Sequence, residues 1–174
     1  KFGAFYGFKV TEITAQEVGD VAVSSTKIRS ALAEGSIKVA NQFLGYNFML
    51  NGTVVKGKGL GNTIQFPTAN LQIEESYKLI PKKGVYLVQS IIDAQLVYGM
   101  LNIGTNPTVS DANEISVEVF FFDFNQTLYG TALNIQFLDR IRDEIKFSGL
   151  QALKVQLEQD QQAALAKIAL LAKN

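Results

Sequence analysis

A glycine-rich stretch that carries two lysines is the clearest candidate for chemistry in this sequence. It runs from Lys56 to Thr63 and contains Gly57, Lys58, Gly59 and Gly61. Alternating glycines let backbone N–H groups converge on an anion without Cβ interference, and the lysines add positive charge. The pattern predicts a phosphate cradle, with a mobile loop between two strands as the alternative. It is not a Walker A motif, because Gly59 stands where that motif needs Ser or Thr.

The segment Phe66–Asn70, with the sequence FPTAN, follows this stretch closely. Side chains alternate along an extended chain, so Thr68 and Asn70 point the same way. A hydroxyl and an amide oxygen are hard, neutral ligands of the kind that Mg²⁺ accepts beside nucleotide phosphates. The pair therefore predicts a metal–nucleotide site. The alternative is that both side chains only satisfy the backbone of a turn.

The acid–base chemistry open to the chain is narrow, because the sequence contains no His and no Cys. Ser-His-Asp catalysis, histidine-ligated metals, thiolate zinc sites and disulfides are excluded. Proton transfer would fall to carboxylates, Lys or Tyr. Glu118 is one candidate, on the same face of an apolar run as Phe120 and Phe122. A Glu that faces outward on an edge strand would give the same pattern.

Composition limits the class of protein. The chain has 174 residues, of which 47% are apolar and 18% charged, so it can bury a core without disulfides. Sixteen basic residues balance sixteen acidic ones, which removes any bulk attraction for nucleic acid or an anionic membrane. No window approaches the ~20 apolar residues of a membrane span. The lack of Cys suits a reducing compartment, and we predict a cytoplasmic location.

The elements that must position these residues are mainly strands. Apolar and β-branched runs occur at Met49–Val55, Val85–Ile92, Leu96–Ile103, Ser116–Phe122 and Leu133–Leu138. The breaks at 93–95 and 125–126 are short enough for hairpin turns, and no helical crossover separates the runs. The spacing therefore predicts an antiparallel barrel or sandwich rather than a doubly wound parallel sheet.

Helices flank the strands on both sides. Ser24 can cap a short helix that ends at Gly35, and Ser36 a second one that ends at Gly45. A capping box at Ser148 begins a C-terminal helix with an apolar face that should pack on the barrel. The polar run at 158–162 predicts a solvated face or a break between two helices.

Six blocks in register closely resemble riboflavin kinase, and the resemblance covers about residues 45–160. The blocks are Gly57–Thr63 with Phe66–Asn70, Leu79–Tyr86, Asn102–Thr108, Val117–Phe124, Leu128–Gly130 and Arg142–Phe147. The resemblance implies a small Greek-key antiparallel β-barrel, with two short N-terminal helices and a C-terminal helix. It also implies Mg²⁺-dependent transfer of the ATP γ-phosphate to the ribityl 5′-hydroxyl of riboflavin, which gives FMN.

The same resemblance implies roles for individual residues. Thr68 and Asn70 match the magnesium–nucleotide site, and Glu118 matches the proposed general base. The glycine-rich stretch, with Gly57, Lys58, Gly59 and Gly61, would bind the ATP phosphates. Arg142, Glu144 and Phe147 are secondary candidates for the flavin site. Arg142 could alternatively hold a phosphate, Phe147 could cover the core, and Glu144 could be a solvated loop charge.

Upstream, Ser24–Leu32 resembles the closing motif of the FMN adenylyltransferase domain that precedes the kinase in bifunctional bacterial enzymes. We therefore expect residues 1–44 to be the end of that domain and residues 45–174 to be the kinase. The chain would then be a piece of a longer protein. The adenylyltransferase needs a His motif that this sequence lacks, so FAD synthesis is not expected from this chain.

A second functional class is a small barrel that binds single-stranded nucleic acid. Lys56, Lys58, Lys82 and Lys83 could line a groove, with exposed aromatic rings as stacking platforms. The neutral net charge and the FPTAN block argue against it. The expected partners are therefore small molecules, riboflavin and ATP, together with the upstream domain, and neither nucleic acid nor a membrane.

Overall fold

A closed antiparallel barrel of six strands forms the body of the protein in the computed structural model. The structure describes residues 6–7, 9, 17–18, 21–57, 66–75, 77–105 and 115–171. The strands are β1 (Glu17–Val18), β2 (Val21–Ala22), β3 (Met49–Val55), β4 (Ala69–Gln72), β5 (Gly84–Ile92), β6 (Gln95–Thr105), β7 (Ile115–Phe121) and β8 (Ala132–Arg142). The helices are α1 (Ser25–Glu34), α2 (Ile37–Leu44) and α3 (Leu150–Leu171).

The strand order around the barrel is β3-β4-β7-β6-β5-β8, and β8 pairs again with β3. Strands β5, β6 and β7 are consecutive neighbours, while β8 returns to lie beside β5. Three consecutive strands with a fourth beside the first make a Greek key, so the predicted fold class is confirmed. Strands β1 and β2 form a separate two-stranded ribbon.

Two apolar layers hold the barrel and its helices together. Alternate residues of the strands fill the interior, where Leu50, Leu101 and Ile135 are completely buried. Helices α1 and α2 add Leu32 and Ile37 to the same interior cluster. The outer face carries a second cluster, made by Phe66, Val85, Leu87, Met100, Phe122 and Ala164, with Leu153, Leu157 and Ile168 of α3 packed against it. The predicted packing of the C-terminal helix on the barrel is confirmed.

Helix α3 is continuous across the polar run at 158–162, so the predicted break is absent there. The run is not simply a solvated face either, because Asp160 within it is only 2% exposed. Its carboxylate is paired with Arg142 of β8, which offsets the cost of burying a charge. Within the described residues, no helix combines the length and apolar character that crossing a membrane requires.

The ends of the short helices follow the sequence signals in part. The Ser24 side chain accepts a hydrogen bond from the Lys27 backbone N–H, and Gly35 and Gly45 end their helices at φ of 80° and 76°. Ser36, however, makes no side-chain cap bond. Its backbone N–H instead donates a hydrogen bond to the carbonyl oxygen of Ala31, which satisfies the C-terminal end of α1. Helix α3 begins at Leu150, one residue later than a cap at Ser148 requires.

The two predicted hairpins have different outcomes. Asp93 and Ala94 join β5 to β6 with φ of 49° and 64°, which is the two-residue turn with both central residues left-handed. The turn predicted at 125–126 is wrong, because β7 and β8 are not neighbours in the barrel. Residues 122–131 instead carry the chain from β7 to the far side of the Greek key. The length of a break cannot reveal which strands pair.

Candidate active site

Glu118 lies in the middle of β7, with a strand on each side. It is directly opposite Asn70 of β4 and directly opposite Asn102 of β6. Directly opposed residues of an antiparallel pair project from the same face, so these three side chains form a polar row across three strands. Because β7 is paired on both sides, the edge-strand alternative for Glu118 is wrong.

Thr68 joins this row from the segment that leads into β4. Its hydroxyl donates a hydrogen bond of 3.1 Å to Oε2 of Glu118, and both side chains are half-buried. Thr68 and Asn70, which alternate with Ala69 along the chain, thus both lie next to the Glu118 carboxylate. The Thr68 hydroxyl bonds to a carboxylate 50 residues away rather than to a local turn.

Gly57 brings the beginning of the glycine-rich stretch against Asn70. A Cβ added to Gly57 would lie 1.9 Å from Nδ2 of Asn70 and 2.4 Å from its Cγ. A side chain at position 57 is therefore incompatible with the present position of the Asn70 amide. Lys58, Gly59 and Gly61 lie outside the described residues, so their predicted role in phosphate binding stays a prediction.

A cavity of about 310 Å³ opens beside these residues. One wall is Gly57, Pro67 and the segment Thr68–Asn70, and the other wall is the connection from Phe124 to Tyr129. Phe121, Phe124 and Leu128 make part of its lining apolar, whereas Asn125, Gln126 and Thr127 supply polar groups. Its volume is at the lower end of small-molecule sites. This second wall was not predicted from the sequence, where the break at 125–126 was expected to be a hairpin turn.

Glu144 approaches the opposite end of the polar row. A Cβ added to Gly104 of β6 would lie 2.8 Å from Oε1 of Glu144, 3.1 Å from Nδ2 of Asn102 and 3.6 Å from Oγ of Ser116. The three polar groups therefore converge on the space that the glycine leaves free. Asn102 connects them to Glu118, its direct neighbour on β7. Neither Asn102 nor Ser116 carried a signal of its own in the sequence analysis.

Arg142 and Phe147 lie next to each other, with the guanidinium carbon 5.8 Å from the centre of the ring. Arg142 also donates to both carboxylate oxygens of Asp160, at 2.7 to 3.0 Å. Its charge is therefore balanced within the protein, and the structure does not bring it to Thr68 or Asn70. Asp160 was not predicted from the sequence, because a buried Asp in a polar run has no distinguishing pattern.

Asp143 carries the strongest electrostatic perturbation next to the site. Hydrogen bonds from Arg140 and then from Lys82 lower the pKa of its carboxyl to about 2. The Lys82 ammonium lies 3.0 Å from this carboxylate. One of the lysines that would line a nucleic-acid groove is thus engaged in an ion pair, and the nucleic-acid alternative is not favoured.

The oxygen atoms around Thr68 suit a magnesium ion that is also coordinated by phosphates. The Thr68 hydroxyl oxygen can coordinate a metal ion through a lone pair while its hydrogen atom is still donated to Glu118. No cluster of three or more Asp, Glu, His or Cys residues that could hold a metal occurs among the described residues. Mg²⁺ commonly takes a few protein oxygens and completes its shell with phosphates and water.

Comparisons with known proteins show which family this chain belongs to. The family model for riboflavin kinase (flavokinase) matches residues 44–168. The bifunctional riboflavin kinase/FMN adenylyltransferase of Listeria monocytogenes is 42% identical over 94% of this chain, and that of Bacillus subtilis is 40% identical over 90%. The match takes in 52% and 49% of those two proteins, so the chain spans about half the length of these curated relatives.

Among solved structures, one described as a macrolide-efflux protein from Streptococcus pneumoniae superposes with a TM-score of 0.83. It is 36% identical in sequence, and the match covers 94% of this chain and 53% of that one. The family model covers well over half of the present chain and includes Gly57, Thr68, Asn70 and Glu118. The chain belongs to the riboflavin kinase family.

Proposed function

We propose that this chain transfers the γ-phosphate of ATP to the ribityl 5′-hydroxyl of riboflavin and so forms FMN. The observation that carries the proposal is the convergence of Thr68 and Asn70, which line the 310 Å³ cavity, on the Glu118 carboxylate. Phosphoryl transfer mainly requires positioning, neutralisation of charge and a group that accepts the hydroxyl proton. This grouping supplies oxygen ligands and a carboxylate without any histidine.

The nucleotide occupies the β4 side of Glu118 in this proposal. The apolar lining at Phe121, Phe124 and Leu128 suits a base, and Thr68 and Asn70 lie at the polar wall. Thr68 and Asn70 would hold Mg²⁺ through the hydroxyl and amide oxygens. The ion would neutralise the phosphate charge that builds up during transfer. Gly57 leaves the space that the Asn70 amide occupies, and it begins the stretch proposed to contact the phosphates.

Glu118 acts as the proton acceptor. The 5′-hydroxyl oxygen attacks the γ-phosphorus, its proton passes to the Glu118 carboxylate, and the bond from the γ-phosphorus to the bridging oxygen breaks to release ADP. The hydrogen bond from Thr68 fixes the orientation of the carboxylate. A carboxylate accepts more than one hydrogen bond, so it can hold the substrate hydroxyl at the same time.

Riboflavin approaches from the β6 side of Glu118. Asn102 lies between Glu118 and Glu144, and Phe147 follows on the same segment as Glu144. This arrangement puts the donor and the acceptor on opposite sides of one carboxylate. In the proposal, Glu144 and Phe147 contact the flavin, and Arg142 supports them.

The proposal extends to the organisation of the chain. Residues 1–44 would be the end of an adenylyltransferase domain and residues 45–174 the kinase, in line with the two activities named for the longer relatives. Because the sequence contains no His, this chain would make FMN but no FAD. We also propose a cytoplasmic location, which the supply of ATP there supports.

The test is product chromatography after incubation of the chain with riboflavin, ATP and Mg²⁺. FMN alone is the expected product, and omission of Mg²⁺ should abolish it. FAD in the products of purified chain would contradict the proposed division of activities, and no FMN would contradict the kinase. Retention on single-stranded DNA resin that falls with salt, without flavin binding, would support the nucleic-acid alternative instead.

A further inference from the structure

A buried carboxylate lies in the middle of α3. Asp160 is 2% exposed, and it receives hydrogen bonds from Nε and Nη2 of Arg142 and from Nε2 of Gln156. Arg142 is the last residue of β8, so the pair connects the centre of the helix with the end of the strand. The side chain of Arg142 is itself 16% exposed.

Other contacts also attach α3 to the barrel. Leu153, Leu157 and Ile168 already pack on the outer apolar cluster. A second ion pair, between Lys167 of α3 and Asp139 of β8, joins the same two elements. Replacing a buried ion pair by apolar residues is often neutral or stabilising, so a stability role alone explains the buried pair poorly.

Arg142 reaches from Asp160 to the irregular segment that follows β8. Its Nη1 donates to the carbonyl oxygen of Asp143 at 2.9 Å, and its guanidinium lies over the ring of Phe147. Glu144 lies between these two contacts in the sequence. A displacement of Arg142 would therefore move the segment on both sides of Glu144.

Glu144 in turn reaches the row that contains Glu118. Its Oε1 shares the space over Gly104 with Nδ2 of Asn102, the direct neighbour of Glu118. A chain of neighbouring groups thus runs from a helix on the outer face to the β6 side of the candidate active site. It does not pass through Thr68, Asn70 or the cavity.

We propose that Asp160 is a positioning residue for the acceptor substrate. Through Arg142 it sets the location of the segment 143–149, and hence of Glu144 and Phe147, relative to Glu118. The inference rests on the proposed function, in which riboflavin occupies the β6 side. It separates the two substrates: loss of the Asp160 charge impairs the riboflavin side and leaves the ATP side intact.

The test compares Asp160→Asn with Lys167→Met, which removes the other ion pair between α3 and β8. For Asp160→Asn we expect the KM for riboflavin to rise about 10- to 100-fold, since a misplacement of about 1 Å at a reacting site can cost up to about 100-fold. Its KM for ATP should stay within about twofold, because the chain of neighbouring groups does not include Thr68, Asn70 or the cavity. A loss of folded enzyme alone would change neither KM. Lys167→Met should leave both KM values unchanged, even where it lowers the melting temperature as much.

A milder variant covers the case in which Asp160→Asn does not fold. Gln156→Met removes one hydrogen bond to the same carboxylate, and it should raise the KM for riboflavin about two- to fivefold without affecting ATP. Equal effects on both substrates, or the same riboflavin effect in Lys167→Met, would overturn the inference.

Binding measurements separate this inference from the proposed function. Quenching of riboflavin fluorescence reports affinity without turnover, and it should weaken in parallel with the KM. A wild-type chain that binds riboflavin but forms no FMN would contradict the kinase and leave the effect of Asp160 measurable. A wild type that turns over while Asp160→Asn and Gln156→Met keep normal riboflavin affinity would contradict only the inference.

Discussion

Gly57→Ala places a methyl group where the Asn70 amide now lies. The new Cβ would be 1.9 Å from Nδ2, whereas ordinary contacts begin at 3.4 Å, so the amide must move by about 1.5 Å unless the backbone at 57 retreats. The backbone at Gly57 is not in the left-handed region, so alanine adds no torsional strain there. A misplacement of about 1 Å in a catalytic arrangement costs up to about 100-fold in rate. We therefore expect kcat/KM for MgATP to fall about 100-fold, or about 2.7 kcal/mol.

The assay is steady-state formation of FMN at varied MgATP, with the melting temperature measured in parallel. A double-mutant comparison tests whether the methyl group acts through Asn70. Asn70→Ala removes the atoms that the new Cβ would meet, so Gly57→Ala should cost less than about threefold in that background. The melting temperature of Gly57→Ala should stay close to that of the wild type, because no cavity is created and no buried group loses its partner.

Two results would refute this reasoning. Wild-type kcat/KM for Gly57→Ala would mean that the loop retreats freely and that the contact with Asn70 does not position the amide. An undiminished effect of Gly57→Ala in the Asn70→Ala background would mean that the methyl group acts elsewhere on the glycine-rich stretch.

Three further predictions concern Glu118 and Thr68 of the polar row and the ion pairs of Asp139 with Lys38 and Lys167. Glu118→Gln should lower the single-turnover rate of FMN formation about 10²- to 10⁴-fold with riboflavin quenching retained, and a near-normal rate would exclude a proton-accepting role. Thr68→Val should weaken catalysis strongly and Thr68→Ser should restore it; unfolding of Thr68→Val with normal turnover per folded molecule would instead indicate a structural hydroxyl. Although burial alone would raise it, hydrogen bonds from Lys167 and Lys38 hold the pKa of Asp139 below its ordinary value. The resulting stability is present above about pH 4 and is lost as the pH falls further. Asp139→Asn should therefore lower the melting temperature at pH 7, and by less near pH 3; an equal loss at both would contradict the assigned charge.

Local signals in the sequence predicted the elements better than their pairing. The bounds of β3 are those of the apolar run, and the hairpin at Asp93 was predicted from two flanking strands with a short break at 93–95, of which the structure puts Gln95 in β6. Thr68 and Asn70 were predicted to face the same way because alternation is a local property. Their meeting with Glu118 depends on β4 lying beside β7, which no local pattern encodes.

The missed features share a physical cause. Asn102 gains a possible role only because β6 lies on the other side of β7, and Asp160 only because α3 folds back onto the end of β8. Both are long-range consequences of topology. Strand β4 was predicted as extended chain but not as a strand, because its four residues lack a clear apolar alternation.

The shortness of β4 has a consequence for how the barrel opens. Among the described residues it pairs with β7 at Ala69 and Asn70, whereas β5 pairs with β6 along its whole length from Gly84 to Ile92. Local openings require least free energy where few hydrogen bonds and apolar contacts must break, so amide hydrogens of β4 should exchange with solvent sooner than those of β5. The pairing of β4 with β7, which opens most easily, is thus the part of the barrel that carries the candidate nucleotide site. A ligand bound across this pair of strands would slow exchange there first, and amide exchange would then report occupancy strand by strand.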